Sequence, residues 1–277
     1  MNVSEKRVVS SHDARIQRIR ALQTREERER TGQFFADGLR FVIQAEQRGA
    51  PIESLLYAPA LLSNSAGQRL VHRIRKQGIP CLEVTPSVFQ SVSLSEEPQG
   101  VGAVVRQHWE KIACLRPLGE LCWIAVEEVQ SAGNLGTILR TSEAVGGAGI
   151  ILIGNAPDPY DPATVRASMG AIFCQRIVRT TLEEFAEWKR HYHCQLVGTS
   201  LSATNDYHHV TYPAPVVLLM GNERKGLTPE AQGLCDLLVK IPMVGKSDSL
   251  NVAIATSVLL YELFNQHRNK NAGKHQT

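Results

Sequence analysis

The chain has 277 residues, 43% of them hydrophobic and 21% charged, with a net charge of +3. That balance excludes a disordered, collagenous or coiled-coil chain, and the length suits one large domain or two modest ones. No apolar run approaches the roughly 18 residues that span a bilayer, so no membrane partner is expected.

The N-terminus, MNVSEKRVVSSHDARIQRIR, lacks the apolar stretch of a secretory signal. Read as an Arg-rich organelle leader, it is interrupted by Glu5 and Asp13. Six widely spaced cysteines without a CxxC pair read as reduced, mostly buried thiols of a cytoplasmic protein. His191-Tyr192-His193-Cys194 has the wrong spacing for zinc and reads as a helix end, so no metal is expected. Charge is unevenly spread: residues 1–117 carry +5 and residues 118–277 carry −2. The first half is therefore the expected partner of a polyanion.

In chain order, residues 13–30 read as one helix with Ile16, Ile19 and Leu22 inward. It carries Arg15, Arg18, Arg20, Arg25, Arg28 and Arg30, either as a nucleic-acid face or as a solvated face offset by Glu26, Glu27 and Glu29. A strand at Phe34–Ala36 and an amphipathic helix from Leu39 to near Gly49 follow. Ser54–Ala58, Ile79–Val84 and Val101–Val105 read as strands, with a helix at Leu70–Gln77. This alternation makes residues 1–106 an α/β domain, and 107–120, with Pro117 and Gly119, a linker. In residues 121–277 the continuous apolar runs Leu121–Val126, Ile150–Ile153, Gln195–Thr199, Val216–Met220 and Leu237–Ile241 suit central parallel strands. Helices are predicted at 135–145, 182–192, 229–234 and 251–264, giving an open α/β domain whose ligands sit beyond the carboxyl ends of the strands.

The loops at those ends hold the chemistry. The helix after Leu121–Val126 places Arg140 on a polar face, where a guanidinium suits a phosphate; Asn134 reads as ligand group or N-cap. Gly221-Asn222-Glu223-Arg224-Lys225-Gly226-Leu227-Thr228 nearly matches a phosphate-binding P-loop, but Leu227 stands where the lysine is needed. No GxGxxG follows a strand, and no GxSxG elbow is present. Ser249 and Asn251 precede the apolar helix Val252–Phe264, whose apolar circumference predicts burial in the domain or in a dimer.

At these residues the sequence resembles the SpoU (TrmH-like) branch of the SPOUT RNA methyltransferases. Three ordered motifs carry the resemblance: Asn134–Thr141, Leu219–Leu227, and Ile241-Pro242-Met243 with Ser249–Ala253. Asp158–Pro162 and Arg166–Ala171 resemble the stretch between the first two. Gly32–Val42 resembles the start of an L30e-like RNA-binding domain, with Asp37 where Glu is commoner. The resemblance implies a first domain that binds RNA and a C-terminal SPOUT α/β domain closed by a trefoil knot. It further implies S-adenosylmethionine as cofactor, a homodimer, and methylation of a ribose 2′-hydroxyl in structured RNA, ribosomal before transfer RNA. Met220, Gly221, Ile241, Met243 and Leu250 would line the cofactor pocket. Arg140, with Asn134, Glu223, Ser249 and Asn251 around it, would meet the target nucleotide, either as the base or as a phosphate clamp that lowers the hydroxyl's pKa. A non-catalytic RNA-binding or ribosome assembly factor and a P-loop-like NTPase are the competing classes.

Overall fold

The computed structural model describes residues 7–63, 65–117, 121–213, 215–246 and 248–274. The chain forms two compact units, one running to Gln107 and including Tyr160–Phe173, the other made of His108–Pro159 and the chain from Cys174 onward.

The first unit contains α1 (Ala14–Ala21), α2 (Arg25–Thr31), β1 (Gln33–Asp37), α3 (Leu39–Gln47), β2 (Ile52–Tyr57), α4 (Ser65–Lys76), β3 (Cys81–Glu83), α5 (Pro86–Gln90) and β4 (Val101–Arg106). Its sheet has the order β1-β4-β2-β3, with β4 antiparallel to both neighbours and β3 parallel to β2. Ile16, Ile19 and Leu22 pack with Leu56, Phe89 and Val104 in the core.

The single helix expected over 13–30 is two helices. Thr24 interrupts it as the N-cap of α2, its hydroxyl accepting from the Glu27 N–H. Arg28 then folds back, 1% exposed, donating to the carbonyls of Leu22 and Gln23 and to Asp161 at 3.1 Å. Most of the other arginines here are also committed: Arg15 to Asp13, Arg25 to Glu29, Arg30 to Glu27, Arg20 to Ser91. A further cationic surface lies on α4, which contains no carboxylate. Leu70, Val71 and Ile74 are buried, and Arg69, His72, Arg73 and Lys76 form the opposite, exposed ridge; of these, Arg73 pairs with Glu46.

Residues 160–173 pack in this first unit. Tyr160 and Phe173 place their rings 4.8 and 6.1 Å from Phe34, and Asp161 receives Arg28. The expected bounds 1–106, 107–120 and 121–277 thus differ from the packing in two places. This segment leaves the second half of the sequence for the first unit, and the linker is docked rather than free. Glu110 pairs with Arg176, and Leu115 is buried with its carbonyl accepting from Trp188 Nε1; residues 118–120 of the linker lie outside the described residues.

The second unit runs β5 (Trp123–Glu127), α6 (Ala132–Val145) and β6 (Gly149–Ile153). The helix α7 (Pro162–Ser168) of the first unit intervenes. There follow β7 (Arg176–Thr180), α8 (Leu182–Tyr192), β8 (Gln195–Thr199), β9 (Asn205–Asp206), β10 (Val216–Met220), α9 (Pro229–Leu234), β11 (Leu237–Lys240) and α10 (Val252–Lys274). The strands form one parallel sheet in the order β7-β6-β5-β10-β8-β11-β9. β5, β6 and β10 are buried throughout, as their apolar runs require. β7 escapes the apolar criterion because it is an edge strand bearing Arg176 and Arg179, which lie over the rings of Trp123 and Trp109. α10 extends ten residues beyond the expected 264 and is not buried all round: Leu259, Leu260 and Leu263 are buried, whereas Ile254 is 52% and Tyr261 49% exposed.

Arg28→Ala strands two carbonyls and Asp161 together, so it is expected to destabilise the chain by about 3 kcal/mol. Urea unfolding measures this; a loss under about 1 kcal/mol contradicts the assignment.

Candidate active site

Because the sheet is parallel, the exits of β5, β10, β8 and β11 meet along one edge. At the exit of β5, Glu127 is 5% exposed and accepts from the N–H and hydroxyl of Thr228, at 3.0 and 2.7 Å. Glu128 follows in a left-handed conformation, φ 52°, which a non-glycine residue adopts only under constraint. Its carbonyl accepts from Asn222 Nδ2 at 2.9 Å. The exits of β5 and β10 are therefore joined by both residues.

The loop after β10 is a tight turn. Asn222 and Gly226 exchange backbone hydrogen bonds at 3.0 and 2.9 Å, and Asn222 Oδ1 accepts from the N–H groups of Arg224 and Lys225. At Gly221 a Cβ would lie 2.3 Å from Gly226 C and 2.4 Å from Leu227 N, so the turn closes only over glycine.

Glu223 turns inward as the hub. Its carboxylate accepts from the N–H of Gln130 (3.0 Å), the N–H of Ser131 (3.3 Å) and Asn134 Nδ2 (2.9 Å). Burial pushes its pKa up, but the bonds from Asn134, Gln130 and Ser131 outweigh burial and hold it below the usual carboxylate range. Asn134 Oδ1 in turn accepts from Asn251 Nδ2 at 3.0 Å. Asn251 Oδ1 caps α10, accepting from the N–H groups of Ala253 and Ile254. One continuous set of hydrogen bonds so links the loop of β10, the start of α6 and the start of α10. Thr141 and Ser257, 3.0 Å apart, join the two helices further along.

Beside this set lies a cavity of about 450 Å³. Met220, Gly221, Ile241, Met243 and Leu250, the five residues expected at the cofactor, all line it, as do Glu223 and Ser249. Asn134 and Asn251 join it through Glu223 and do not line it; Arg140 stands apart, exposed on α6, with no hydrogen bond or ion pair among the described residues. Thr199, Ser200 and Ser202, at the exit of β8, also line the cavity and were not expected. Their signal was a hydroxyl cluster directly after an apolar run, legible only once β8 is known to neighbour β10. Buried thiols take no part: burial pushes Cys122 up to about 12 and Cys194 and Cys235 to about 11, and none lines the cavity.

Fold and site define an α/β chain with a ligand cavity at the carboxyl edge of a parallel sheet. Residues 122–261 match the SpoU rRNA Methylase family, and residues 13–103 the MRM3-like substrate binding domain. The 23S rRNA (uridine(2479)-2′-O)-methyltransferase of Streptomyces viridochromogenes is 32% identical, covering 94% of this chain and 92% of that protein. The 23S rRNA (guanosine(2553)-2′-O)-methyltransferase RlmP of Bacillus subtilis is 26% identical over 93% of this chain and 99% of its own. The crystal structure of an AdoMet-bound rRNA methyltransferase from Sinorhizobium meliloti is 37% identical with a TM-score of 0.87, covering 94% of this chain and 97% of that one. The chain belongs to the SpoU rRNA methylase family.

Glu223→Gln replaces an acceptor of three donors by a half-donor group. After discounting for partial exposure, the expected loss is about 1 kcal/mol of stability. A carboxylate with a lowered folded pKa contributes its full stability above the unfolded value and loses it as pH falls through the folded one. The difference between wild type and variant is thus expected to be constant near neutrality and to vanish only below the usual carboxylate range. Melting curves across pH read it; a difference that grows on acidification contradicts the hub.

Proposed function

We propose that the protein transfers a methyl group from S-adenosylmethionine to a ribose 2′-hydroxyl of ribosomal RNA. The observation that carries this reading is the bonding of Glu223, Asn134 and Asn251 beside a cavity lined by Met220, Gly221, Ile241, Met243 and Leu250. The cavity fits the cofactor in size and in chemistry. Met220, Ile241, Met243 and Leu250 supply apolar walls for its body, and Thr199, Ser200 and Ser202 supply hydroxyls for its polar parts. The relatives named above act at 2′-hydroxyls of 23S rRNA, which supports the same class of RNA here.

When bound, the cofactor supplies an electrophilic methyl, so the protein's task is to align a ribose hydroxyl and ease the loss of its proton. Glu223 is not the base: its carboxylate is occupied by three donors and its pKa is lowered, which weakens it as a proton acceptor. Its role is positioning, since it fixes Asn134 and through it Asn251. Arg140 is free to meet the nucleotide. A guanidinium resists deprotonation, so we assign Arg140 the clamp role: it grips the RNA phosphate and stabilises the developing alkoxide. Ser249 lines the cavity, and we assign it the task of orienting the ribose.

We further read the chain from β10 onward as a trefoil knot. The strand order supports this, since β10 and β11 flank β8 and all three run parallel; a crystal structure traced through these residues tests it. The protein is read as a cytoplasmic homodimer. Ile254 and Tyr261, two turns apart on one exposed face of α10, are the apolar residues a second copy would cover. Sedimentation tests the dimer, and a fully active monomer overturns it. Leu263, also apolar, is buried within its own unit and is no part of that face.

Removing the gene is expected to erase one 2′-O-methyl mark from ribosomal RNA, and mapping in total RNA detects it. Arg140→Ala and Arg140→Lys are both expected to lower methyl transfer at least 100-fold with cofactor affinity within about threefold, because a point charge does not reproduce the planar fork. A tenfold loss of cofactor binding would place Arg140 at the cofactor instead.

A further inference from the structure

Two cations at the mouth of the cavity are left unassigned by this reading. Arg224 and Lys225 both line it, both are exposed, and neither side chain has a hydrogen bond or ion pair among the described residues. Their backbone is held in a hydrogen-bonded turn. The Asn222–Gly226 bonds close the turn, and Asn222 Oδ1 holds both of their N–H groups. Asn222 Nδ2 fastens the turn to Glu128, and the backbone at Gly221 approaches Gly226 and Leu227 too closely for a side chain. Glu223 is anchored inward, so the turn presents the next two side chains outward as a pair.

Such a display is unfavourable in isolation. Adjacent like charges repel, whereas arginines such as Arg28, Arg73 and Arg176 are each held by a carboxylate. Residues 118–277 are moderately acidic in sum, so the cationic mouth is a local feature and not a by-product of overall charge. The other charged residues lining the cavity are Glu223, which already accepts from three donors, Lys240, and Asp248 on the loop after β11. An anion therefore completes the mouth. We propose that Arg224 and Lys225 bind the phosphates of the RNA strand beside the target ribose, and so position the substrate against the cavity. The inference rests on the RNA methyltransferase reading. A guanidinium forks onto two phosphate oxygens while an ammonium neutralises a neighbouring phosphate as a point charge. A rigid turn makes that grip selective for a strand held in one register. The competing anion is the carboxylate of the cofactor itself.

The test uses the full chain, a 23S rRNA transcript and S-adenosylmethionine. It compares wild type, the double variant Arg224→Ala/Lys225→Ala and the charge-preserving Arg224→Lys/Lys225→Arg. In the alanine variant, KM for RNA is expected to rise about tenfold while kcat at saturating RNA stays within about threefold. Cofactor Kd and melting temperature stay near wild type. In filter binding, the slope of log affinity against log salt falls by roughly one to two units, one for each phosphate no longer neutralised. The charge-preserving variant keeps most of the slope. An unchanged KM and salt slope overturn the inference, and a tenfold loss of cofactor affinity assigns the pair to the cofactor's carboxylate instead. Filter binding separates this from the reading beneath it. A wild type that binds RNA yet transfers no methyl contradicts the methyltransferase reading, while the slope comparison still decides the role of the pair.

Discussion

A parallel sheet gathers its strand exits at one edge, but each exit is only a loop until something fixes it against its neighbours. Here the carboxylate of Glu223 does so. It draws on two backbone N–H groups ahead of α6 and on the side chain of Asn134, and Asn134 passes the constraint to Asn251, the cap of α10. Glu127 and Glu128 complete the junction from the side of β5, one by its carboxylate and one by a strained backbone carbonyl. Strain at φ 52° persists because the surrounding bonds outweigh its cost of about 1–3 kcal/mol. The cavity wall and the start of both helices thus behave as one polar unit resting on an apolar sheet.

The same economy governs the cations. In the first unit most of the arginines clustered over 13–30 are held by partners, as Arg28 is with full burial of its guanidinium. Among the described residues, cations that face solvent without a carboxylate partner include Arg18, Lys76, Arg140 and the pair Arg224-Lys225. Net charge by halves therefore does not identify which cations are free of carboxylate partners. Pairing, which decides availability, depends on contacts distant in sequence such as Arg28 with Asp161.

The central strands were legible because burial on both faces demands apolar runs, and β5, β6 and β10 have them, with a shorter buried run in β8. The residues expected at the cofactor came from the resemblance of the motifs, and all five line the cavity. β7 was hidden by two arginines whose apolar stems and planar heads cover tryptophans, a cost-free arrangement only at a sheet edge. The helix expected over 13–30 hid its break because Thr24 also fits a helix interior, and only its capping bond distinguishes it. The hydroxyls of Thr199, Ser200 and Ser202 needed the strand order, and the placement of residues 160–173 in the first unit needed aromatic contacts to Phe34, neither of which local pattern carries.

The central claim is that Glu223 and Asn251 act together although they do not touch, since Asn134 lies bonded between them. A double-mutant cycle of Glu223→Ala and Asn251→Ala, read as calorimetric affinity for S-adenosylmethionine, tests this directly. The account predicts a coupling of about 1 kcal/mol, because each substitution removes one of the two bonds that hold the Asn134 amide. Strict additivity, within about 0.3 kcal/mol, would contradict it and leave three independent loops around the cavity.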